Sequence, residues 1–220
     1  MNAPASRTAL LVGATGLVGR EILQGLLADD SVTRVHALGR RPPALTHPKL
    51  SFHGVDFASL PALAPADEAY LALGTTIKVA GSQAAFRAID FDANLAVAKA
   101  ARAAGVTRLG LVSAMGADAH ARLFYSRVKG ELEDALKGLG FAGLVIARPS
   151  MLAGEREALG QPVRSGEVLA LRISRALKPF IPANYRSVDV ADVAGALLRR
   201  VPRAHGTEVV LSGAMHVRVP

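Results

Sequence analysis

The chain has 220 residues, of which half are hydrophobic and a fifth are charged, as in an ordinary globular domain. It contains no cysteine, which excludes disulfide bonds, thiolate nucleophiles and cysteine metal sites. The formal net charge is +8, but the basic residues are dispersed and aromatic side chains are few, so we expect no nucleic-acid partner.

The sequence shows no sign of a membrane span or a leader peptide. It holds no run of about 18 uninterrupted apolar residues. Residues 1–8 reach the first predicted strand too soon for a signal peptide with its own apolar region. Together with the absence of cysteine, this leads us to expect a cytoplasmic protein without a membrane partner.

Short apolar strands alternate with amphipathic helices along the first two thirds of the chain. The predicted strands cover residues 8–13, 34–38, 49–57, 68–74, 108–113 and 143–149. The predicted helices cover residues 17–27, 83–104 and 124–139. Continuous apolar strands separated by helices are typical of a parallel sheet covered on both faces. We therefore predict an α/β fold with a doubly wound, Rossmann-like parallel sheet.

The pattern is less regular after residue 149. Residues 154–168 are rich in glycine and charge and indicate a loop, whereas residues 168–177 and 188–200 are predicted to be helical. Residues 207–213 predict a last strand. Because no repeat or linker interrupts the chain, we predict a single domain over residues 1–220, of which residues 150–220 in part form a small substrate lid.

Three glycines lie where the first predicted strand turns into the first helix. Glycine lets the backbone turn tightly, approach a pyrophosphate and pack the helix against its strand. The free N–H groups and partial positive charge of the helix N-terminus then bind the phosphates. A glycine-rich turn without a ligand would show the same pattern. The predicted cofactor site here comprises seven consecutive residues, Gly13, Ala14, Thr15, Gly16, Leu17, Val18 and Gly19.

Arg40 and Arg41 follow the second predicted strand, where an acidic residue would bind the ribose 2′-OH of NAD. A guanidinium group instead matches a 2′-phosphate. We therefore predict NADP(H) as the cofactor in preference to NAD(H). The alternative is a solvated arginine pair on a surface turn.

Tyr125 and Lys129 are spaced i, i+4 and should be neighbours on one face of the third predicted helix. A nearby ammonium group favours the phenolate and so lowers the pKa of a tyrosine, whose ordinary value is about 10. Ser113 ends a strand at the edge where open α/β sheets bind ligands, and could donate a hydrogen bond to a substrate carbonyl oxygen. We predict that these three residues are catalytic, the alternative being a surface tyrosine and lysine that support a helix.

Together the glycine pattern and the motifs LVSAMGAD, YSRVK and ARPSML resemble the short-chain dehydrogenase/reductase superfamily, in its atypical or extended NAD(P)-binding branch. The segments LGTTIKVAGS, SAMGAD and YSRVKGELE are also similar to the Tat-interacting-protein oxidoreductase family and its bacterial relatives described as nucleoside-diphosphate-sugar epimerases. The resemblance covers about residues 8–195. It implies a Rossmann fold, an NAD(P) cofactor and oxidoreductase activity.

The resemblance also implies further cofactor contacts. They are the adenine-contacting Asp56 and Phe57, the ribose-lining Leu73, Gly74, Thr75 and Thr76, and the nicotinamide-facing Arg148, Pro149, Ser150 and Met151. Asn94 corresponds either to an asparagine that supports a proton relay or to a buried asparagine that bends its helix.

These observations favour an NADP(H)-dependent oxidoreductase that transfers hydride to or from a small carbonyl or alcohol substrate. One alternative is an NADPH-binding regulatory or interaction protein without turnover, and another is a nucleotide-sugar epimerase-like enzyme. The arginine pair and the short length of the chain count against the epimerase. The scattered histidines show no metal-ligand spacing, so we expect no metal site. Helices 83–104 and 124–139 could pair in a homodimer or could simply cover the sheet.

Overall fold

The computed structural model describes residues 6–153 and 182–216, which form parallel strands with helices packed around them. The strands are β1 (Arg7–Val12), β2 (Val32–Gly39), β3 (Leu50–Gly54), β4 (Glu68–Leu71), β5 (Arg108–Val112), β6 (Gly143–Arg148), β7 (Leu152–Ala153), β8 (Val188–Asp189) and β9 (Gly206–Leu211).

The α-helices differ widely in length. They are α1 (Leu17–Ala28), α2 (Ile77–Ala80), α3 (Gln83–Arg87), α4 (Asn94–Ala103), α5 (Phe124–Lys137), α6 (Val190–Arg200) and α7 (Ser212–Met215). A π-helical segment, Ala88–Ala93, joins α3 to α4, and two 3₁₀ turns lie at Ala183–Tyr185 and Val201–Arg203.

Seven strands form one parallel sheet in the order β3-β2-β1-β4-β5-β6-β9. This order confirms the predicted doubly wound α/β fold. The chain moves outward from β1 to β3 and then returns to the other side of β1 at β4. The strand order thus reverses between β1 and β4, and in such sheets this reversal opens a crevice at the carboxyl ends of the strands.

Each face of the sheet carries its own apolar core. On one face α1 and α6 pack together, with Ile22 and Leu23 of α1 and Leu197 of α6 inaccessible to solvent. On the other face α4 and α5 cover the sheet, and there Val97 and Leu132 are equally buried. Because both faces are covered, the strands are apolar on both sides, which explains their continuous hydrophobic runs.

Two predicted helices differ from those observed. The helix predicted over residues 83–104 is interrupted by the π-helical segment, because Asn94 donates its side-chain amide to the carbonyl oxygens of Leu73, Ile89 and Asp90 at 3.1–3.3 Å. The helix predicted from residue 188 begins two residues later. Its first two residues instead form β8, which pairs with β7 in a small separate sheet.

Part of the predicted substrate lid cannot be compared with the prediction. The loop over residues 154–168 and the helix over residues 168–177 lie outside the described residues, as do residues 217–220. Within residues 6–153 and 182–216, no helix combines the length and the apolar character needed to cross a membrane.

Candidate functional site

Two positions where β1 turns into α1, one in the turn and one in the helix, accept only glycine. Gly13 has a φ of +86°, and a Cβ atom there would lie 2.4 Å from the carbonyl oxygen of Ala72. A Cβ atom on Gly19 would lie 2.0 Å from the carbonyl oxygen of Gly13. The glycines therefore let α1 pack directly against the turn and keep the backbone at the mouth of the crevice free of side chains.

The N-terminus of α1 is open to a ligand. Gly16 is its N-cap residue and supplies no side chain to bond the first N–H groups of the helix. Leu17 and Val18 open the helix and line the adjacent cleft. Exposed N–H groups and the positive end of a helix dipole suit a pyrophosphate, so the chain fits the phosphates of a dinucleotide at this point.

A cleft of about 390 Å³ lies at the carboxyl ends of the central strands, next to this helix N-terminus. Its lining comes from the turns and helices that follow β1, β4, β5 and β6. The lining residues are Gly16, Leu17, Val18, Ala72, Leu73, Gly74, Thr75, Thr76, Val79, Asp90, Val112, Ser113, Ala114, Tyr125, Lys129, Pro149, Ser150 and Leu152.

A smaller pocket of about 70 Å³ lies on the other side of the glycine turn. It brings the arginine pair together with the first residues of the turn and with aromatic side chains. Its lining residues are Gly13, Ala14, Thr15, Leu38, Gly39, Arg40, Arg41, Phe52, Phe57 and Leu73. Both arginines are exposed, and within the described residues neither makes an ion pair.

The three predicted catalytic residues line the same cleft. Tyr125 is 38% exposed, and its ring centre lies 5.5 Å from that of Phe86. Ser113 and Lys129 are buried, at 5% and 4% exposure. Helix α5 presents Tyr125 and Lys129 one turn apart, and the loop after β5 presents Ser113.

Lys129 forms a buried ion pair. Its Nζ lies 2.7 Å from Oδ1 of Asp90, whose side chain is fully buried in the π-helical segment. The other carboxylate oxygen of Asp90 accepts a hydrogen bond of 2.9 Å from the backbone N–H of Thr75. One carboxylate thus connects the lysine of α5 to the loop after β4.

Ser113 is held by a second buried carboxylate. Its hydroxyl donates to Oε1 of Glu133 at 2.5 Å, and Arg148 binds both oxygens of the same carboxylate. This hydrogen-bonded contact with Glu133 outweighs burial and raises the pKa of Arg148, so the guanidinium stays charged. Because a hydroxyl has one hydrogen, Ser113 can donate to a substrate only after releasing Glu133.

Five of the predicted contact residues do not line the cleft or the smaller pocket. Gly19 packs against the backbone of Gly13 instead. Asn94 is buried against backbone carbonyl groups, and Arg148 points its side chain at Glu133. Asp56 accepts a hydrogen bond from the backbone N–H of Ala58. Met151 is 54% exposed, next to cleft residue Ser150.

Asp90 and Glu133 are not among the residues predicted from the sequence, although each lies four residues from a polar residue that is. Glu133 follows Lys129 by four residues, and Asp90 precedes Asn94 by four, spacings that place each pair on one face. An acidic residue on a buried face needs a partner, and this signal could have found both.

In the part of the chain that the structure describes, no three His, Asp or Glu side chains cluster in a geometry that could hold a metal ion.

Comparison with known proteins agrees with the geometry. Residues 13–177 match a family model described as NAD(P)H-binding. The mitochondrial protein fmp52 of Emericella nidulans is 41% identical over 157 residues, which cover 67% of each chain. Protein FMP52-1, mitochondrial, of Scheffersomyces stipitis is 33% identical over 202 residues, covering 79% of this chain and 89% of the relative.

Because these relatives are named as mitochondrial, the expectation of a cytoplasmic location is wrong.

Solved structures show the same fold at low identity. A short-chain dehydrogenase/reductase family oxidoreductase of Burkholderia thailandensis superposes with a TM-score of 0.69 at 20% identity, covering 98% of this chain and 94% of the other. The enzyme WbmH of Bordetella bronchiseptica, in complex with NAD⁺, has a TM-score of 0.66 at 18% identity, covering 94% and 75%. The chain therefore belongs to the NAD(P)H-binding family whose model covers residues 13–177.

Proposed function

We propose that this protein is an NADP(H)-dependent oxidoreductase that acts on a small carbonyl or alcohol substrate. The observation that carries the proposal is that Ser113, Tyr125 and Lys129 line the same cleft as the open N-terminus of α1. A proton donor thus lies beside a site suited to a dinucleotide. A protein that only bound the cofactor would not need such a donor.

The charge distribution supports NADP(H) in preference to NAD(H). The pyrophosphate would bind at the N-terminus of α1, and the adenosine half would lie toward the smaller pocket. There Arg40 and Arg41 can bind a 2′-phosphate with their guanidinium groups. Directly after β2 the chain continues with these arginines and two prolines, so no carboxylate is placed there to bind a ribose 2′-OH.

The bound nicotinamide would supply or accept the hydride. Tyr125 would transfer the proton to or from the substrate oxygen, because its hydroxyl group is on the most exposed of the three catalytic side chains. Lys129 would hold the nicotinamide ribose, and its positive charge favours the phenolate of Tyr125. We assign Ser113 to orienting the substrate: while its own proton is donated to Glu133, its hydroxyl oxygen can accept a hydrogen bond from an alcohol substrate.

The substitution Tyr125→Phe tests this proposal. The wild-type protein should oxidise NADPH in the presence of a suitable aldehyde or ketone from a panel of small carbonyl compounds, followed by the loss of NADPH absorbance. Tyr125→Phe should keep its affinity for NADPH and lose about 10²–10⁴-fold in kcat, the usual contribution of a positioned acid. The matched control is Tyr185→Phe, which removes the hydroxyl of another exposed tyrosine.

Two other outcomes would favour the alternatives. NADPH binding without turnover on any carbonyl compound would indicate a regulatory protein. Retention of NAD through purification, with no exchange for NADPH, would indicate an epimerase-like enzyme. Full activity of Tyr125→Phe would contradict the catalytic role that we give to Tyr125.

A further inference from the structure

The floor of the cleft contains a carboxylate that the proposed reaction does not use. Asp90 is fully buried, yet it lines the cleft together with Lys129. It is placed by the π-helical segment, a rare interruption of a helix that often occurs at functional sites. A regular helix through these residues would give Asp90 a different direction.

The two contacts of Asp90 fix two parts of the cofactor site relative to each other. Oδ1 lies 2.7 Å from Nζ of Lys129, and Oδ2 accepts the N–H of Thr75. A lysine side chain is long and flexible, so a charged partner at its tip restricts where the ammonium group can lie. The Thr75 hydrogen bond holds the loop after β4 at the same carboxylate.

Gly74 leaves this ion pair open toward the cleft. A Cβ atom at Gly74 would lie 3.6 Å from Oδ1 of Asp90 and 3.9 Å from Nζ of Lys129. Any larger residue would therefore cover the pair. The absence of a side chain at this position lets a ligand in the cleft reach the ammonium group.

We propose that Asp90 is a positioning residue of the cofactor site. Its carboxylate holds the Lys129 ammonium group, and through the N–H of Thr75 the loop after β4, in the positions that bind the nicotinamide ribose. This inference rests on the proposed function, because it gives Lys129 the ribose of NADP(H) as its ligand. Asp90 acts through Lys129 and does not itself bind the ribose.

A double-mutant cycle on NADPH affinity tests the inference. The four proteins are the wild type, Asp90→Asn, Lys129→Met and the double variant, each titrated with NADPH by calorimetry. Asp90→Asn keeps the shape of the side chain and removes its charge. Loss of the carboxylate should have two effects on binding: it releases the Lys129 side chain, and it removes a negative charge near the anionic NADPH. Only the first effect depends on the presence of Lys129. We therefore expect Asp90→Asn to weaken binding at least fivefold more in the wild-type background than in the Lys129→Met background.

The cycle separates positioning from a merely structural contribution. A structural role of Asp90 would change the affinity by the same factor in both backgrounds, and that result would overturn the inference. The control is Asp92→Asn, which removes an exposed carboxylate from the same π-helical segment and should leave the affinity within twofold of the wild type. If the wild-type protein binds no NADPH, the proposed function fails; if it binds and the cycle is additive, only the role of Asp90 fails.

A second variant keeps the test decisive if Asp90→Asn does not fold. Gly74→Ala leaves both charges in place and puts a methyl group over the ion pair at ordinary contact distance, where φ is compatible with alanine. It should weaken NADPH binding at least fivefold, and Lys129→Met should have little further effect in this background. An affinity unchanged by Gly74→Ala would overturn the inference.

Discussion

Glu133 illustrates how the stability of the fold can depend on a single side chain behind the cleft. Its carboxylate side chain is 1% exposed and would be costly to bury alone. Arg148 compensates the charge, and Ser113 donates a further hydrogen bond. A buried pair of this kind contributes little in comparison with an apolar pair, but removal of one partner leaves the other uncompensated.

Glu133→Gln should therefore destabilise the protein. Breaking a fully buried pair costs about 3–5 kcal/mol, and because the Arg148 side chain is 25% exposed we expect a loss of about 2–3 kcal/mol. Urea unfolding followed by circular dichroism measures the change in the free energy of unfolding.

The control for Glu133→Gln lies on the same helix. Asp134 and Lys137 form an ion pair at 2.8 Å with side chains that are 59% and 42% exposed. Because exposed pairs contribute roughly 0–1 kcal/mol, Asp134→Asn should change the free energy of unfolding by less than about 0.5 kcal/mol. Equal losses in the free energy of unfolding of Glu133→Gln and Asp134→Asn would show that the buried contacts of Glu133 stabilise the protein no more than an exposed ion pair does.

At the scale of elements, the contact between β1 and α1 could be predicted because its cause is local. A positive φ at Gly13 and the close approach of Gly19 both require glycine, and the sequence shows glycine at each position. The π-helical segment could not be predicted in this way. It depends on hydrogen bonds from Asn94 to carbonyl groups on two elements, and the loop carbonyl of Leu73 is 21 residues distant in sequence.

Gly19→Ala tests the contact between α1 and the turn. The new methyl group would overlap the carbonyl of Gly13, so α1 must move away from the turn. Overpacking of this kind costs about 1–3 kcal/mol, and we expect at least a tenfold loss of NADPH affinity as the helix N-terminus moves. Thermal unfolding and calorimetric titration measure the two effects.

Gly25→Ala provides the comparison within the same helix. Its methyl group would overlap only Cδ1 of Leu198, the end of a flexible side chain on α6. Alanine also has a higher helix propensity than glycine, by about 1 kcal/mol. NADPH affinity should therefore be unchanged in Gly25→Ala. An equal loss of affinity in both variants would contradict a specific role for Gly19.

At the scale of the whole molecule, the doubly wound sheet places distant parts of the chain around one cleft. Gly16, Thr75, Ser113 and Ser150 follow four different strands, and all line it. The sequence predicted this convergence because parallel strands have their carboxyl ends at one edge of the sheet. It did not predict which side chains turn into the cleft. Arg148 faces Glu133 instead, a choice that depends on a buried charge on another element.

The binding of NADPH tests the central claim most directly. Purified protein should be titrated calorimetrically with NADPH and, separately, with NADH. We predict at least tenfold tighter binding of NADPH, and we predict that this preference is lost when Arg40 and Arg41 are both replaced by alanine, because these guanidinium groups would bind the 2′-phosphate. Equal affinities for the two cofactors would contradict the NADP(H) assignment, and binding of neither would contradict the proposed function itself.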